Sequence, residues 1–311
     1  MKYYDFDIKT DRINKIGEYL KRHFGKKTVK LSIDGGFTCP NRDGSKGRGG
    51  CIFCSSSGSG DFASDIETQI ELLSKKWTNC KYIAYFQNHT NTYAPAAELR
   101  SKFYEALANP NISGLAISTR PDCFSEEIYE LLNELNQKTF LWVELGLQTI
   151  HKKTATLINR CSTLDEYDEA VKRLTALNIK VVTHLILGLP NESWDEMLTS
   201  VSYVANSPVF GMKLHMLNVV RGSQMETLYP NYIPFKTMEE YINLVVDALE
   251  IIPPHITIHR LGADAPRPTL IAPEWSYKKR SILNGIDLEL KRRNSFQGKR
   301  YIVAGPNLPS L

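Results

Sequence analysis

Apolar residues along this chain alternate between two periods. From Asp11 to Phe24, Ile13, Ile16 and Leu20 share one helical face, and Gly25 stops the pattern. Val29–Ile33 then alternates as a strand. The helical period returns at Ile66, Ile70, Leu73 and Trp77, followed by a buried strand-like run, Tyr82–Phe86. The exchange repeats: helix over 96–108, strand over 114–118, helix from a Ser125 cap to Leu135, strand over 140–146. Thr163–Glu166, Ser193–Glu196 and Thr237–Glu240 read as capping boxes opening three more helices, the last two running to about Ala205 and Ile251. Strands are predicted at 181–187, 212–217 and 256–259.

Strands separated by whole helices pair in parallel, with the helices covering the sheet. The expected fold is therefore α/β, a βα barrel, open or closed. In such barrels ligands bind where the strands end, at their C-terminal tips. The residues after each strand become the candidates.

Composition changes the picture little. The 311 residues suffice for one large domain or possibly two. No apolar run approaches the roughly 20 residues of a bilayer span, and Met1–Asp7 lacks the apolar region of a secretion signal. A cytoplasmic protein with no membrane partner is expected. The formal net charge of +4 permits nucleic-acid binding without demanding it. A composition shift at 262–273, rich in Gly and Pro, divides a core over 1–261 from a basic, helical C-terminal segment over 262–311 packed on it.

The candidate chemistry begins after the first strand. Cys39, Cys51 and Cys54 lie within sixteen residues, in a loop carrying Gly44, Gly47, Gly49 and Gly50. Thiolates are the usual ligands of iron–sulfur clusters and structural zinc. A 4Fe-4S cluster held by three cysteines leaves one iron open. The zinc alternative needs a fourth ligand, such as His89 or Cys80. Cys80, Cys123 and Cys161 are scattered and read as small buried hydrophobes.

Cys51-Ile52-Phe53-Cys54, preceded by Cys39, resembles the radical-SAM signature. Eleven residues separate the first two cysteines, where most of that superfamily has three. This spacing, with Asn41-Arg42-Asp43-Gly44, is similar to the YtqA/YhcC group of short radical-SAM proteins, relatives of the catalytic subunit of Elongator. The resemblance implies a partial (β/α)6 TIM-type barrel, a 4Fe-4S cluster on Cys39, Cys51 and Cys54, and S-adenosyl-L-methionine on the open iron. It implies cofactor contacts from Phe53; from Gln87 and Asn88, with Thr90 behind them; and from Ser118 and Arg120 of Ser118-Thr119-Arg120-Pro121-Asp122. Glu144, within Val143-Glu144-Leu145-Gly146-Leu147-Gln148, would bind the ribose or orient Arg120, with Gln148 beyond it. Backbone groups around Leu187 would hold the adenine. Arg120 and Asp122 could instead simply pair with each other. His184 reads as a core histidine, and Lys213 and His215 face either the barrel centre or the helices.

The resemblance further implies a substrate: the modified wobble uridine of transfer RNA, its 5-carboxymethylaminomethyl arm converted toward the aminomethyl form. A reducing donor such as flavodoxin or ferredoxin would supply electrons. Lys46, Arg48, Trp275, Tyr277 and the basic run Lys291-Arg292-Arg293 are the candidate RNA contacts. The alternatives are a radical enzyme acting on a small molecule such as a tetrapyrrole, and a zinc-bearing RNA-binding module without catalysis.

Overall fold

The computed structural model describes residues 11–55, 58, 63–263 and 265–301. Seven strands form one sheet: β1 (Thr28–Ile33), β2 (Lys81–Phe86), β3 (Ile112–Thr119), β4 (Phe140–Gln148), β5 (Lys180–Leu187), β6 (Gly211–Met216) and β8 (Thr257–Leu261). They pair in that order, every neighbour parallel. The sheet curls into a partial barrel that stays open between β1 and β8. The six strands expected from the resemblance are joined by the seventh that the pattern places near 256–259. A two-residue strand β7 (Val219–Val220) pairs antiparallel with β9 (Leu270–Ala272), which the periodicity does not signal.

The connections supply the outer layer: α1 (Ile16–Phe24), α2 (Ile66–Ser74), α3 (Ala96–Ala108), α4 (Glu126–Lys138), α5 (Lys152–Leu157), α6 (Leu164–Ala176), α7 (Trp194–Ala205), α8 (Gln224–Leu228), α9 (Met238–Ile251) and α10 (Lys279–Arg292). Thr163–Glu166 and Ser193–Glu196 make full capping boxes. Thr237 also caps its helix, but Glu240 accepts from Lys236 N–H rather than from the cap residue. The first helix begins at Ile16, later than its apolar spacing suggests, because Asn14 O accepts from Ile258 N–H at 2.7 Å and ties residues 13–15 to the free edge of β8.

Strand parity sorts the core into two regions. Leu31, Ile33, Leu115, Ile117, Leu141, Val143, Val181 and Leu185 face outward into the main core beneath the helices. Ile83, Tyr85, Ala116, Trp142 and Val182 face inward and meet Ile16 and Leu20 of α1, which plugs the N-terminal mouth of the barrel. The inner face is apolar only at that end. Beyond it the alternation places Ser32, Glu144, His184, Lys213 and His215 inside, so the two residues left open on β6 point to the barrel centre.

Among the described residues, 265–301 stay against this body. Helix α10 packs on α9, and Arg12, Asn14 and Glu250 hydrogen-bond to the 295–300 stretch. The expected C-terminal segment continues past residue 301, outside the described residues.

Close backbone approach fixes one position on the sheet. A Cβ at Gly114 would lie 2.4 Å from the Phe140 carbonyl oxygen, where β3 meets β4. Gly114→Val is expected to destabilise the apo-protein by about 1–3 kcal/mol, read as a lower urea midpoint. An unchanged midpoint would mean that the two strands part without cost.

Candidate functional site

The loop after β1 has few apolar residues, so most of its fixing comes from polar contacts. Asn41 is fully buried, and its amide donates to Asn159 O at 2.6 Å and Arg160 O at 3.0 Å. Asn159 returns a bond to Gly50 O at 2.9 Å. Ile52 N–H donates to Ile158 O at 3.1 Å, and Met225 N–H donates to Ile52 O at 3.0 Å. Ile52 also fills a small apolar cluster with Ile158, Leu189, Leu217 and Met225, against which Phe53 packs. Burying this single aliphatic side chain contributes about 1.5–3 kcal/mol.

The anchored loop roofs a cavity of ≈ 260 Å³ at the C-terminal ends of the strands. Cys39, Cys51 and Cys54 all line it. The Cys54 thiol is held below its usual range, first by its hydrogen bond with Cys51 and also by the Arg42 guanidinium. Arg42 itself donates to Ser55 O. Among the described residues, no three His, Cys, Asp or Glu side chains converge on a single metal ion. Cys80 lies beside the first residue of β2, at the other end of the barrel, and donates to Trp77 O. It cannot complete a zinc site with the loop.

Of the residues expected to touch a cofactor, Phe53, Gln87, Ser118, Arg120 and Gln148 line this cavity. Gln87 Oε1 accepts from Ser32 Oγ at 3.0 Å. Arg120 spans Asp122 with two bonds, 2.9 and 2.8 Å, and donates to Arg160 O at 2.8 Å. The pairing of Arg120 with Asp122 is thus present, and the guanidinium still borders the cavity.

Two expectations require correction, and a third is narrowed. Glu144 is fully buried below the cavity, and its oxygens are taken by Trp142 Nε1 at 2.8 Å, His184 Nε2 at 2.8 Å and Lys213 Nζ. It neither reaches a ribose nor orients Arg120, which Asp122 holds. Asn88 is buried beside the cavity rather than lining it. Leu187 turns its side chain into the outer core, and its carbonyl accepts from Leu217 N–H at 2.9 Å, so a contact with adenine there falls to the backbone, as expected of that segment.

Arg160, Tyr85 and Arg260 also line the cavity and were not signalled by sequence, whereas His184, Lys213 and His215 were. Arg160 is buried and donates to Leu147 O and Thr149 O, both at 2.6 Å, and to Ser162 O. It locks the end of β4 beneath the cysteine loop. Tyr85, Lys213, His184 and His215 form the floor, and Arg260 of β8 forms one wall. Lys213 Nζ donates to Tyr85 Oη at 3.0 Å. Burial alone would raise the Glu144 carboxyl, but Lys213, His184 and Lys30 hold it well below the usual range. His184 is pushed down to about 4 by burial and by Lys213.

Comparison with known proteins settles what kind of site this is. Residues 39–204 match the Radical SAM superfamily, and residues 209–292 match its C-terminal domain. The chain belongs to the radical SAM superfamily. It is 45% identical to YtqA of Bacillus subtilis over 299 residues, covering 93% of each chain. It is 38% identical to YhcC of Escherichia coli over 269 residues, covering 85% of this chain and 87% of that one. Elongator complex protein 3 of Schizosaccharomyces pombe is a more distant relative, 29% identical across 50% of this chain and 29% of its own length. An archaeal Elp3 from Methanocaldococcus infernus shares the fold, with a TM-score of 0.62 and 19% identity across 74% of this chain and 58% of that one.

Radical SAM enzymes work with a 4Fe-4S cluster and S-adenosylmethionine. The donor set present here fits that pair. Three thiols share one cavity with no further cysteine on its wall, as a cluster with an open iron requires. The rest of the wall mixes apolar side chains such as Ile186, Met216 and Leu217 with polar and cationic ones such as Gln87, Arg120 and Arg260, which suits a cofactor bearing both a carboxylate and an adenosyl group.

His184 gives this radical SAM enzyme a testable acid sensitivity. Its folded pKa, about 4, lies below its ordinary 6.5, so the neutral ring is favoured in the folded protein. The stability it contributes is complete above pH 6.5 and lost as the pH falls toward 4. In the apo-protein, His184→Gln should flatten the decline of unfolding free energy over that window by up to roughly 3 kcal/mol, measured by urea titration at pH 7, 5.5 and 4.5. An unchanged slope would assign the sensitivity to other groups.

Proposed function

We propose that Cys39, Cys51 and Cys54 hold the 4Fe-4S cluster of this radical SAM enzyme, and that its substrate is a modified wobble uridine of transfer RNA. The convergence of those three thiols on one cavity supports the first part. When bound, the cluster and S-adenosylmethionine supply the one-electron chemistry that breaks a carbon–sulfur bond and lets hydrogen be taken from an unactivated carbon. The chain's own residues hold and enclose. Phe53 and the Ile52 cluster seal the roof against water. Gln87, Ser118 and Gln148 present polar groups at the tips of β2, β3 and β4. Arg120, fixed by Asp122, offers a guanidinium that cannot swing away.

Likeness to Elongator complex protein 3 carries the substrate reading. In this reading the enzyme acts on the 5-carboxymethylaminomethyl arm and takes it toward the aminomethyl form, with electrons from a reducing donor such as flavodoxin or ferredoxin. The surface supports a revised RNA contact. Arg293 pairs with Asp247 of α9 and with Glu289, and Arg292 with Glu289, so two of the three cations in that run are already engaged. Lys46 is bound to Asp122 at 2.7 Å. Trp275 packs against the main core. Tyr277, in contrast, is exposed, with the Arg267 guanidinium 3.9 Å from its ring centroid and Lys278 beside it. An aromatic face flanked by cations is what unstacked RNA bases use.

Replacing any one of Cys39, Cys51 and Cys54 by Ala should abolish both the visible absorption of the anaerobically reconstituted protein and reductive cleavage of S-adenosylmethionine. Full cluster content in Cys54→Ala would remove the ligand assignment. A protein carrying Ser at Cys80, Cys123 and Cys161 should retain parental iron, and a loss of about half would indicate a second cluster.

The substrate is tested by the nucleoside profile of transfer RNA from a strain lacking the protein. Accumulation of 5-carboxymethylaminomethyl-uridine derivatives supports the reading. An unchanged wobble-uridine profile, with the protein normally expressed in the parent, overturns it in favour of a small-molecule substrate.

A further inference from the structure

The open edge of the barrel holds a second cavity, ≈ 330 Å³, between β1 and the tied-down segment on β8. Arg260 and Ala263 line this side cavity and the main one alike, so the two adjoin through that wall. Much of its lining is apolar, including Ile16, Ile258, Ile282 and Ile286, but its charge is one-sided. Lys15, Lys30, Arg260 and Lys279 line it, with Asp287 the acid among its described lining residues. Asp287 is engaged by Lys15 at 3.6 Å. Arg260 and Lys279 have interactions of their own.

Lys30 differs from these. It is half-buried on the inner face of the edge strand, and its remaining exposure is to the cavity. Among the described residues, no hydrogen bond or ion pair reaches its ammonium. Its contact is the Tyr85 ring, 5.0 Å away. The nearby carboxylate, Glu144, is taken up by Lys213, His184 and Trp142. Burial lowers the Lys30 pKa, and repulsion from Arg260 and Lys279 adds to that effect against the pull of Glu144. A cation removed from water without a hydrogen-bonded counter-charge is costly unless something else supplies the anion. The volume available is about ten times a water's share of the liquid, roughly 30 Å³, enough for a tetrahedral oxyanion and its waters.

We propose that the side cavity is an anion subsite, with Lys30 as its principal contact and Arg260 as the wall shared with the main cavity, and that it takes a backbone phosphate of the RNA strand whose nucleotide reacts. Its assignment to RNA rests on the transfer RNA reading above; its affinity for a phosphate anion does not.

Two measurements on the reconstituted, S-adenosylmethionine-loaded protein test this. The first uses inorganic phosphate. At matched ionic strength, phosphate in place of chloride should raise the thermal midpoint of the parent and of Lys30→Arg by several degrees, and that of Lys30→Gln not at all. An equal rise in parent and Lys30→Gln overturns the subsite. The second uses transfer RNA. Lys30→Gln should weaken its binding about tenfold, the worth of one charge-assisted contact. It should also reduce the slope of log affinity against log salt by about 0.7, the share of one phosphate on a single strand. Lys30→Arg should restore both.

Cleavage of S-adenosylmethionine without RNA should be unaltered in all three proteins, which separates loss of the subsite from loss of the fold. If phosphate stabilisation depends on Lys30 while transfer RNA affinity does not, RNA is rejected as the source of the anion. If the wobble-uridine profile is unchanged on deletion but the phosphate effect needs Lys30, the transfer RNA reading fails and the anion site stands.

Discussion

The site depends on how a glycine-rich loop is held still. A loop of that composition has much conformational entropy to lose and little apolar surface to offset it. Two buried guanidinium groups and one buried amide solve this. Arg160 gathers the carbonyls of Leu147, Thr149 and Ser162 at the end of β4. Arg120, clamped by Asp122, takes Arg160 O, and Asn41 takes Asn159 O and Arg160 O from the loop side. The loop's own turns, with Arg42 N–H and Asp43 N–H on Cys39 O and Cys54 N–H on Cys51 O, are thereby tied to the β3 and β4 tips. Removing Asn41 would take its donor from the Asn159 carbonyl, while the Arg160 carbonyl keeps its bond from Arg120; leaving a buried carbonyl unpaired costs more than one hydrogen bond returns.

Below that roof, the barrel interior changes character along its axis. At the N-terminal end it is sealed by α1 with aliphatic and aromatic side chains. At mid-height it becomes a charged layer centred on Glu144. Three donors saturate this carboxylate, so it needs no ligand, and its charge keeps Lys213 paired inside the barrel. Such a pair stabilises little when intact, but breaking it leaves an uncompensated buried charge. Its role is to fix the floor: Lys213 places the Tyr85 hydroxyl, and His184 sits against His215 with ring centroids 5.2 Å apart.

Much of this was legible in the sequence because it follows from period and spacing. Alternating helices and strands dictated parallel pairing, and the strand-end rule pointed to Gln87, Ser118, Arg120 and Gln148. Depth along the barrel axis was not legible. Parity places Glu144 on the inner face but does not say that its strand neighbour Trp142 and two facing strands consume it. Nor does a polar segment after β5 reveal that the Leu187 carbonyl is already paired with Leu217. Arg160 was hidden because its position depends on α5 and on left-handed turns at Asn159 and Cys161, φ +54° and +59°. Arg260 escaped because β8 runs to Leu261, two residues beyond its apolar pattern. Composition also misled at the end of α10, where Arg292 and Arg293 of the basic run are paired with Glu289 and Asp247.

Leaving the barrel open connects these features. An eight-stranded parallel barrel fills its interior with layers of side chains and has no room for a reactant. Seven strands leave β1 and β8 unpaired with each other, which frees interior volume but exposes two edges, ordinarily a liability. The chain handles each edge differently. On β8, residues 13–15 occupy part of the free edge by a backbone bond to Ile258. On β1, Lys30 stands at the opening, where a charge discourages another strand from adding. The polarity that protects the edge also makes the inner wall beside it cationic. The charged side chains that β4 to β6 turn into the barrel, Glu144, His184 and Lys213, pair with one another, so an anion entering at the gap meets Lys30 first.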